Sequence, residues 1–250
     1  MNDTIKTQLN HRSIREFKDE PFNQDHFQLL MEVAQHTATS SGLQAASIIK
    51  ITDPELKKKI ATLCHQEYIG RIPLLLIFIV DQYRNNQIAS AQGIQADGAA
   101  GMDSFFQSFT DACIMAQNVV VAAESLDLGT LYIGSIHNDP SELCALLNLP
   151  PLTFPVVGLG IGIPNQEPGL KPRMSMALRT FENTYQAPTD ILGALSEYDA
   201  LMQTYYDLRD TNRRLDSFTT QVAKRIVAHN PKRQELLNVI GDQGFNFRLK

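Results

Sequence analysis

The sequence predicts an α+β domain in which helices flank a mixed sheet. Short, continuous apolar runs indicate buried strands over 46–52, 74–80 and 155–163. Apolar residues at three- and four-residue spacing indicate helices, most clearly over 104–126, where only two residues are charged. Strands and helices alternate without the regular spacing of βαβ units, which favours the α+β class.

Each element has its own local signal. Asp53-Pro54-Glu55 provides a capping oxygen, a proline for the first turn and an early acid, as helix starts commonly do. In chain order, the patterns predict a helix over 24–36, a strand over 46–52, a helix from 53 to about 63, a strand over 74–80, a polar mobile segment over 83–102, a long helix capped by Asp103 and ending near 126, a strand and loop over 130–134, a helix starting within 138–142, a strand over 155–163, helices over 190–208 and 216–229, and a short helix over 232–240.

The chain is long enough for one large domain with a buried core. Of its 250 residues, 43% are apolar and 20% are charged, as in ordinary globular proteins. We therefore expect a single domain over 1–250, with a helical excursion over about 185–230 inside it. The closing 244–250 segment has strand character and needs a pairing partner, for which a partner subunit's sheet edge is one candidate.

The charge distribution argues against nucleic acid as a partner and points to a local anion site. The net charge is -5, yet residues 1–208 carry 13 basic and 23 acidic residues, whereas 209–250 carry 9 and 4. Three widely spaced cysteines, no metal-ligand spacing and a polar N-terminus predict a cytoplasmic protein with no metal. No apolar run is long enough to span a bilayer, so no membrane partner is expected.

Two cationic stretches predict a pocket for an anionic, planar ligand. The first is HRSIREF at 11–17, and the second is LKPR at 170–173. Arginine forks and a hydroxyl can satisfy phosphate oxygens, and a further cation can lie against an electron-accepting ring. Either stretch alone is also compatible with ordinary surface charge. Together they favour a flavin nucleotide site.

Glycine patterns and a second basic run add to this interpretation. GLGIG at 158–162 is followed by Pro164 rather than a helix, so it indicates a close-packed strand and not a dinucleotide fingerprint. Gly134, after a strand, lets the backbone approach a planar ring, although a simple turn glycine is the alternative. RDTNRR at 209–214 is either a solvated surface or a clamp for a second phosphate.

At these residues the chain resembles the NADPH-dependent FMN nitroreductase and flavin reductase family, in particular its larger, oxygen-insensitive, NADPH-preferring branch. The similarity covers nearly the whole chain, from HRSIREF through SSGLQAASIIKITD and DACIMAQNVVVAAESLDLGTLYIG to LPPLTFPVVGLGIGIP, LKPR and YYDLRDTNRR. It implies an α+β homodimer with two FMN sites at the subunit interface. In the family, the loop after this strand usually reads glycine-glycine and then arginine-asparagine. This chain departs from that pattern at Ser135 and His137.

The resemblance also implies roles for particular residues. The phosphate end of FMN would be held by Arg12 and Ser13 with His11 nearby, and Arg15 would approach the pyrimidine edge. The remaining contacts would come from the partner's loop (Ser40, Ser41, Gln44), a ring-edge amide (Gln66), the loop after a strand (Tyr132, Ile133, Gly134, Ser135) and two further cations (Lys171, Arg173). Gly134 would offer its N–H to the reactive N5, and Arg209 and Arg214 would clamp the 2′-phosphate of NADPH.

The predicted function is ping-pong, two-electron reduction of nitroaromatics, quinones or free flavin by NADPH, with FMN tightly bound and no catalytic side chain required. Within the class, a disulfide, chromate or azo compound could be the acceptor. Outside it, the alternatives are a non-catalytic flavin-binding or storage protein, or a structural interaction protein with a swapped tail. A storage protein would not need a phosphate clamp at Arg209 and Arg214. A structural interaction protein would leave the cations of HRSIREF and LKPR without a ligand to bind.

Overall fold

The structure is a computed structural model that describes residues 1–205, 216–228 and 230–246. The described strands are β1 (Ala46–Ile51), β2 (Leu74–Asp81), β3 (Gly129–Ile133) and β4 (Thr153–Gly162). The described α-helices are α1 (Asp3–Leu9), α2 (Gln24–Gln35), α3 (Pro54–Leu63), α4 (Gln82–Ala91), α5 (Met102–Ser125), α6 (Pro140–Leu146), α7 (Ile191–Thr204), α8 (Phe218–Val227), α9 (Pro231–Gln234) and α10 (Leu236–Asp242).

The four strands form one antiparallel sheet in the order β1-β2-β4-β3. Strand β2 is central and pairs with β1 from Ala46 opposite Val80, and with β4 on its other side. Among the four described strands, β3 pairs with β4, so β1 and β3 occupy opposite edges of this sheet. The α+β class predicted from the sequence is therefore confirmed.

Alternation along β2 divides the core between the two faces of the sheet. Leu74, Leu76, Phe78 and Val80 face the cluster that contains the buried residues of α2 and α5. Leu75, Ile77 and Ile79 face the other cluster, which contains residues of α3 and α6. Both faces are covered, which explains why this strand is a continuous apolar run in the sequence.

Most predicted elements are confirmed with small shifts in their ends. Asp53 caps α3 by accepting a hydrogen bond from the Glu55 N–H, and Asp139 caps α6 in the same way. The GLGIG stretch lies within β4, as predicted: a Cβ on Gly160 would lie 2.8 Å from Ile72. The predicted helix over 232–240 is divided into α9 and α10.

Two predictions for the middle of the chain were wrong. The segment over 83–102 is not simply an irregular excursion, because α4 begins at Gln82 with Asp81 as its cap, and a 3-10 turn follows at Asp97–Ala100. Helix α4 is polar on most sides, so it lacks the apolar periodicity that identifies a helix in a sequence. Asp103 lies in the first turn of α5, whose N-cap is Gly101.

The chain divides into two compact units: Met1–Glu167 with Asn230–Lys250, and Pro168–His229. In the second unit, α7 and α8 pack through the Tyr198 and Phe218 rings, 5.1 Å apart between centroids, and Asp199 accepts a hydrogen bond from Thr219 N at 2.9 Å. The single domain with its excursion stays a prediction. The predicted end of one helix at 208 lies outside the described residues, as does His229.

The C-terminal segment pairs with its own chain as far as it is described. Asn246 N donates to the Ala100 carbonyl at 2.7 Å, and the Phe245 ring packs against Phe105. Residues 247–250, for which a partner's sheet edge was one candidate, lie outside the described residues. Within the described ranges, no helix has the length and hydrophobicity needed to cross a membrane.

Candidate functional site

The HRSIREF segment lies against the β3 edge of the sheet. Ser13 forms a parallel bridge with Thr130, and Ile14 N donates to the Thr130 carbonyl at 2.8 Å. Ile14 is buried, and its atoms would lie only 2.8 Å from a Cβ on Gly129, so the two backbones approach closely because Gly129 has no side chain. This packing fixes His11, Arg12, Ser13 and Arg15 beside β3.

A carboxylate from α5 anchors the start of this segment. Glu124 Oε1 is 2.6 Å from His11 Nδ1 and accepts a hydrogen bond from Thr130 Oγ1 at 2.5 Å. The Glu124 side chain is 12% exposed, so both bonds form largely away from water. One carboxylate oxygen thus ties the N-terminal segment, β3 and α5 together. No sequence pattern predicts this role for Glu124, because His11 lies 113 positions away.

Arg12 carries a polar atom that is left unsatisfied. Its Nε is buried and has no hydrogen-bond partner among the described residues. Buried donors in proteins are nearly always paired, and a buried guanidinium nitrogen without a partner is costly. An anion bound here would remove that cost. Within the described part of the chain, this unpaired nitrogen is the most direct indication of a bound ligand.

The turn after β3 brings a second group of predicted residues together. Ser135 Oγ donates to Gln66 Oε1 at 3.0 Å, and Tyr68 OH donates to the same oxygen at 2.8 Å. Gly134 has nothing within 4 Å of the position of a Cβ, so the space beside it is open. Hydrogen bonds therefore join Gln66, Tyr68 and Ser135 next to Gly134, whose Cβ position faces open space.

Arg233, which the sequence did not identify, contacts the backbone of this turn. Arg233 donates from Nη1 to the Gly134 carbonyl at 3.0 Å and approaches Asn138 Oδ1 at 3.5 Å. Asn138 in turn donates to the Cys64 carbonyl at 3.1 Å. Because Arg233 lies 99 positions away from Gly134, no local pattern could have identified the contact.

His137, one of the two departures from the family loop, points into the protein. Its Nε2 is 2.8 Å from the Pro155 carbonyl, and its ring stacks on Phe154. Burial lowers the pKa of His137; the Pro155 carbonyl opposes this shift and the charge of Arg233 adds to it. His137 is therefore a neutral donor that stabilises the turn rather than a charge beside the open space.

Tyr132 and Ile133 differ in what they can offer a ligand. Tyr132 is partly exposed, and its OH donates to Gln117 Oε1 at 3.1 Å. Burial, with Cys113 and Glu124 nearby, raises the pKa of Tyr132, so the phenol stays neutral. Ile133 is buried in the core, and only its backbone could reach a bound group.

The predicted partner loop lies elsewhere. Ser40 N donates to Asp111 Oδ1 at 2.9 Å, and Gln44 N donates to Thr39 Oγ1 at 2.9 Å. Ser41 has φ 52° and Gln44 has φ 50°, so the loop bends sharply before it enters β1. It therefore stands at the β1 edge of the sheet, whereas Gly134 follows β3 at the other edge. Three strand spacings, about 14 Å, separate these two edges.

The remaining predicted residues lie outside the first unit or outside the described residues. Lys171 and Arg173 belong to the second unit, where Tyr198 OH donates to the intervening Pro172 carbonyl at 3.2 Å. Arg209 and Arg214 lie outside the described residues. The described residues of the first unit thus gather His11, Arg12, Ser13, Arg15, Gln66, Tyr132, Ile133, Gly134 and Ser135 along the β3 edge, and leave Ser40, Ser41 and Gln44 apart from them.

Comparison with known proteins identifies the family of the chain. The family profile of the nitroreductase family matches residues 9–163, and the profile described as the nitroreductase family, C-terminal domain, matches residues 171–248. The chain belongs to the nitroreductase family. The family predicted from the sequence is confirmed, and because this family is enzymatic, so is the prediction of an oxidoreductase.

Individual members of the nitroreductase family match along their whole length. The chain is 35% identical to the FMN reductase (NADPH) of Bacillus subtilis (strain 168), over 98% of this chain and 99% of the relative. It is 34% identical to the oxygen-insensitive NADPH nitroreductase of Salmonella typhimurium, over 99% and 100%. The solved structure of NfrA2 from B. megaterium has a TM-score of 0.91 at 34% identity and covers 100% of both chains.

Proposed function

We propose that this nitroreductase-family member is an FMN-dependent oxidoreductase that uses NADPH to reduce small acceptors two electrons at a time. The proposal depends on the buried Nε of Arg12, which has no partner among the described residues and lies at the β3 edge. The open space at Gly134 lies at the same edge. A bound anion would pair with the Arg12 Nε, and a planar ring attached to that anion would occupy the space at Gly134. The names of the relatives, an FMN reductase (NADPH) and an NADPH nitroreductase, support the same chemistry.

The residues present fit FMN. Arg12 and Ser13, with His11 oriented by Glu124, would bind the phosphate, because guanidinium, hydroxyl and imidazole groups all donate to phosphate oxygens. Gln66 would contact the ring edge, and Gly134 would donate its backbone N–H. From the resemblance, Lys171 and Arg173 would complete the cationic surroundings, and Ser40, Ser41 and Gln44 would come from the partner.

When bound, FMN supplies the two-electron chemistry, taking electrons from NADPH and passing them to an acceptor. The protein's contribution is binding and electrostatics. Arg15 would place positive charge beside the pyrimidine edge, where negative charge accumulates on reduction, and this favours electrons moving in pairs. No side chain is needed as a nucleophile, and a neutral Tyr132 adds no charge beside the ring.

We also propose that the working form is a homodimer. The outward face of α5 carries exposed apolar residues, including Phe106 and Ile114, on a helix with few charges. Exposed large apolar side chains on such a helix are typical of subunit interfaces. A second copy would also bring a Ser40–Gly42 turn toward the β3 edge, which the chain's own turn does not approach.

The cell compartment and the acceptor belong to the proposal as well. The three cysteines are free thiols, which fits the reducing cytoplasm where NADPH is available. Nitroaromatics, quinones and free flavin are the expected acceptors, with disulfides, chromate and azo compounds as alternatives. A storage role is disfavoured because the named relatives are reductases.

The test is anaerobic mixing of the FMN-loaded protein with NADPH, followed by the acceptors one at a time. Loss of the flavin absorbance with NADPH, and its return with a nitro, quinone or flavin acceptor, is the expected result. A protein that binds FMN but is not bleached by NADPH would support storage. A protein that binds no FMN would contradict the proposal altogether.

A further inference from the structure

Helix α5 carries three carboxylates, and two of them, Asp111 and Glu124, each hold one of the segments assigned to FMN. Between 104 and 126 only Asp111 and Glu124 are charged, on a helix that is otherwise suited to burial. Placing charge in such a helix is unfavourable unless the charge is used. The roles inferred for these two carboxylates rest on the proposed function, because they concern the same cofactor site.

Asp111 holds the turn that precedes β1. It is 3% exposed, and its Oδ1 accepts the Ser40 N–H at 2.9 Å. Its second oxygen, Oδ2, is buried and has no partner among the described residues. A pocket of 90 Å³ that Asp111 lines is also lined by Thr39 and Gln44 of the same loop. The carboxylate therefore lies directly beneath the loop, and its one strong contact there is the Ser40 backbone.

Glu124 holds the other segment, through His11 Nδ1 and Thr130 Oγ1. Asp111 and Glu124 stand 13 positions apart on one helix. That separation is about 20 Å along the axis and about 140° around it. The two carboxylates thus face different directions and hold segments at opposite edges of the sheet.

We infer that Glu124 and Asp111 are positioning residues for two different sites of the dimer. Glu124 orients the phosphate-binding segment of its own protomer's site. Asp111 orients the Ser40 turn that completes the partner's site. Each FMN site is then built from the Glu124 end of one α5 and the Asp111 end of the other.

The role of Asp111 is tested by comparing Asp111→Leu with Asp111→Asn. Asparagine removes the charge and replaces the unpartnered oxygen with an amide nitrogen, but it keeps an acceptor oxygen for Ser40 N. We therefore expect the FMN dissociation constant of Asp111→Asn to stay within about threefold of the parent value. Leucine removes the acceptor, and we expect a rise of about tenfold or more. Equal binding by the parent and Asp111→Leu, or equal loss in both variants, would overturn the assignment.

A second pair of variants covers the case in which Asp111→Leu does not fold. Ser40→Pro removes the N–H donor from the other side of the same bond, and Ser40→Ala keeps it. Thr39 has φ -135° and ψ 148°, which suits the residue before proline. Weaker FMN binding by Ser40→Pro than by Ser40→Ala supports the anchor, and equal binding contradicts it.

Glu124 is tested in the same manner. Glu124→Gln keeps an oxygen that accepts from His11 and Thr130, whereas Glu124→Met has a similar length and no strong acceptor. We expect FMN binding to weaken about tenfold more in the methionine variant. Unfolding of the FMN-free proteins is followed in parallel, since a purely structural role would change stability without separating the two variants in FMN binding.

Subunit mixing tests the assembly across the dimer. Asp111→Leu and Glu124→Met chains with different affinity tags are co-expressed, and the mixed dimer is purified through both tags. If each site uses both chains, one site of the mixed dimer carries both changes and the other carries neither. We expect one tightly bound FMN per mixed dimer, although each parent homodimer binds weakly.

Two weak sites in the mixed dimer would overturn the inference, because that result requires both carboxylates to act on the site of their own chain. A parental protein that binds no FMN at all would instead contradict the proposed function. The two failures are therefore distinguishable in the same titrations.

Discussion

Arg233 donates a hydrogen bond from Nη1 to the carbonyl oxygen of Gly134 at 3.0 Å. This contact joins the C-terminal part of the first unit to the turn that borders the candidate FMN site. A guanidinium on a carbonyl is a charge-assisted bond, stronger than a neutral one. The bond holds the peptide group between Gly134 and Ser135 in one orientation, and therefore also the direction of the Ser135 N–H.

Arg233→Met is expected to weaken FMN binding by about fivefold to tenfold, since a bond to a charged group contributes roughly 1.5 kcal/mol or more. The measurement is fluorescence titration of the FMN-free protein. Lys232→Met is the matched control, because Lys232 pairs with Asp139 and does not contact Gly134. Equal effects of the two substitutions would contradict a specific role for Arg233.

Gly129, the first residue of β3, and Gly134, just after its end, are expected to respond differently to substitution by alanine. At Gly129 a Cβ would lie 2.8 Å from Ile14, so Gly129→Ala should lower the free energy of unfolding by about 1–3 kcal/mol through overpacking. At Gly134 nothing lies within 4 Å, so Gly134→Ala should fold normally and yet weaken FMN binding. Urea unfolding and FMN titration of both variants provide the measurement. A strongly destabilised Gly134→Ala would show that the space is not open.

How much could be predicted from the sequence depends on how local the cause is. Leu74–Asp81 is buried on both faces, so its apolar run identifies it directly, and the Asp53 cap lies two residues from the N–H that it accepts. Helix α4 was missed because its residues are polar and its stability does not come from an apolar stripe.

The candidate site shows the same limit more strongly. The resemblance supplied Gln66 and Ser135 separately, but their hydrogen bond joins residues 69 positions apart. Asp111 and Glu124 were noticed only as interruptions of an apolar helix, because their partners, Ser40 and His11, lie 71 and 113 positions away. Such pairings are set by the three-dimensional arrangement and leave no periodic signal in the chain.

Arg12 is expected to affect stability and FMN binding in opposite directions. Its buried Nε lacks a partner, so Arg12→Met should leave the FMN-free protein as stable as the parent or more stable, by up to about 1–2 kcal/mol. The same change should weaken FMN retention sharply. Urea midpoints of the FMN-free proteins and the flavin absorbance after purification are the measurements. A destabilised variant that stays fully yellow would contradict both halves of the prediction.

His137 is expected to make stability depend on pH. Its folded pKa lies below the ordinary value of 6.5, so the unfolded chain binds the proton more readily than the folded one. Stability from this residue is therefore complete above pH 6.5 and is lost as the pH falls toward the folded pKa. His137→Gln keeps a donor for the Pro155 carbonyl and cannot titrate. As the pH is lowered from 8 to 5, the melting temperature of the parent should fall more steeply than that of His137→Gln. Parallel curves for the two proteins would contradict the assignment.

Arg214 lies outside the described residues, and its role follows from the resemblance alone. If Arg209 and Arg214 bind the 2′-phosphate, Arg214→Ala should raise the KM for NADPH by about tenfold or more, since a charge-assisted pair to phosphate contributes roughly 1.5–3 kcal/mol. The KM for NADH should change little, because NADH lacks that phosphate. Arg179→Ala, another arginine of the second unit, is the control for a general loss of positive charge. Equal increases for both nucleotides would show that Arg214 acts on binding in general and does not recognise the phosphate.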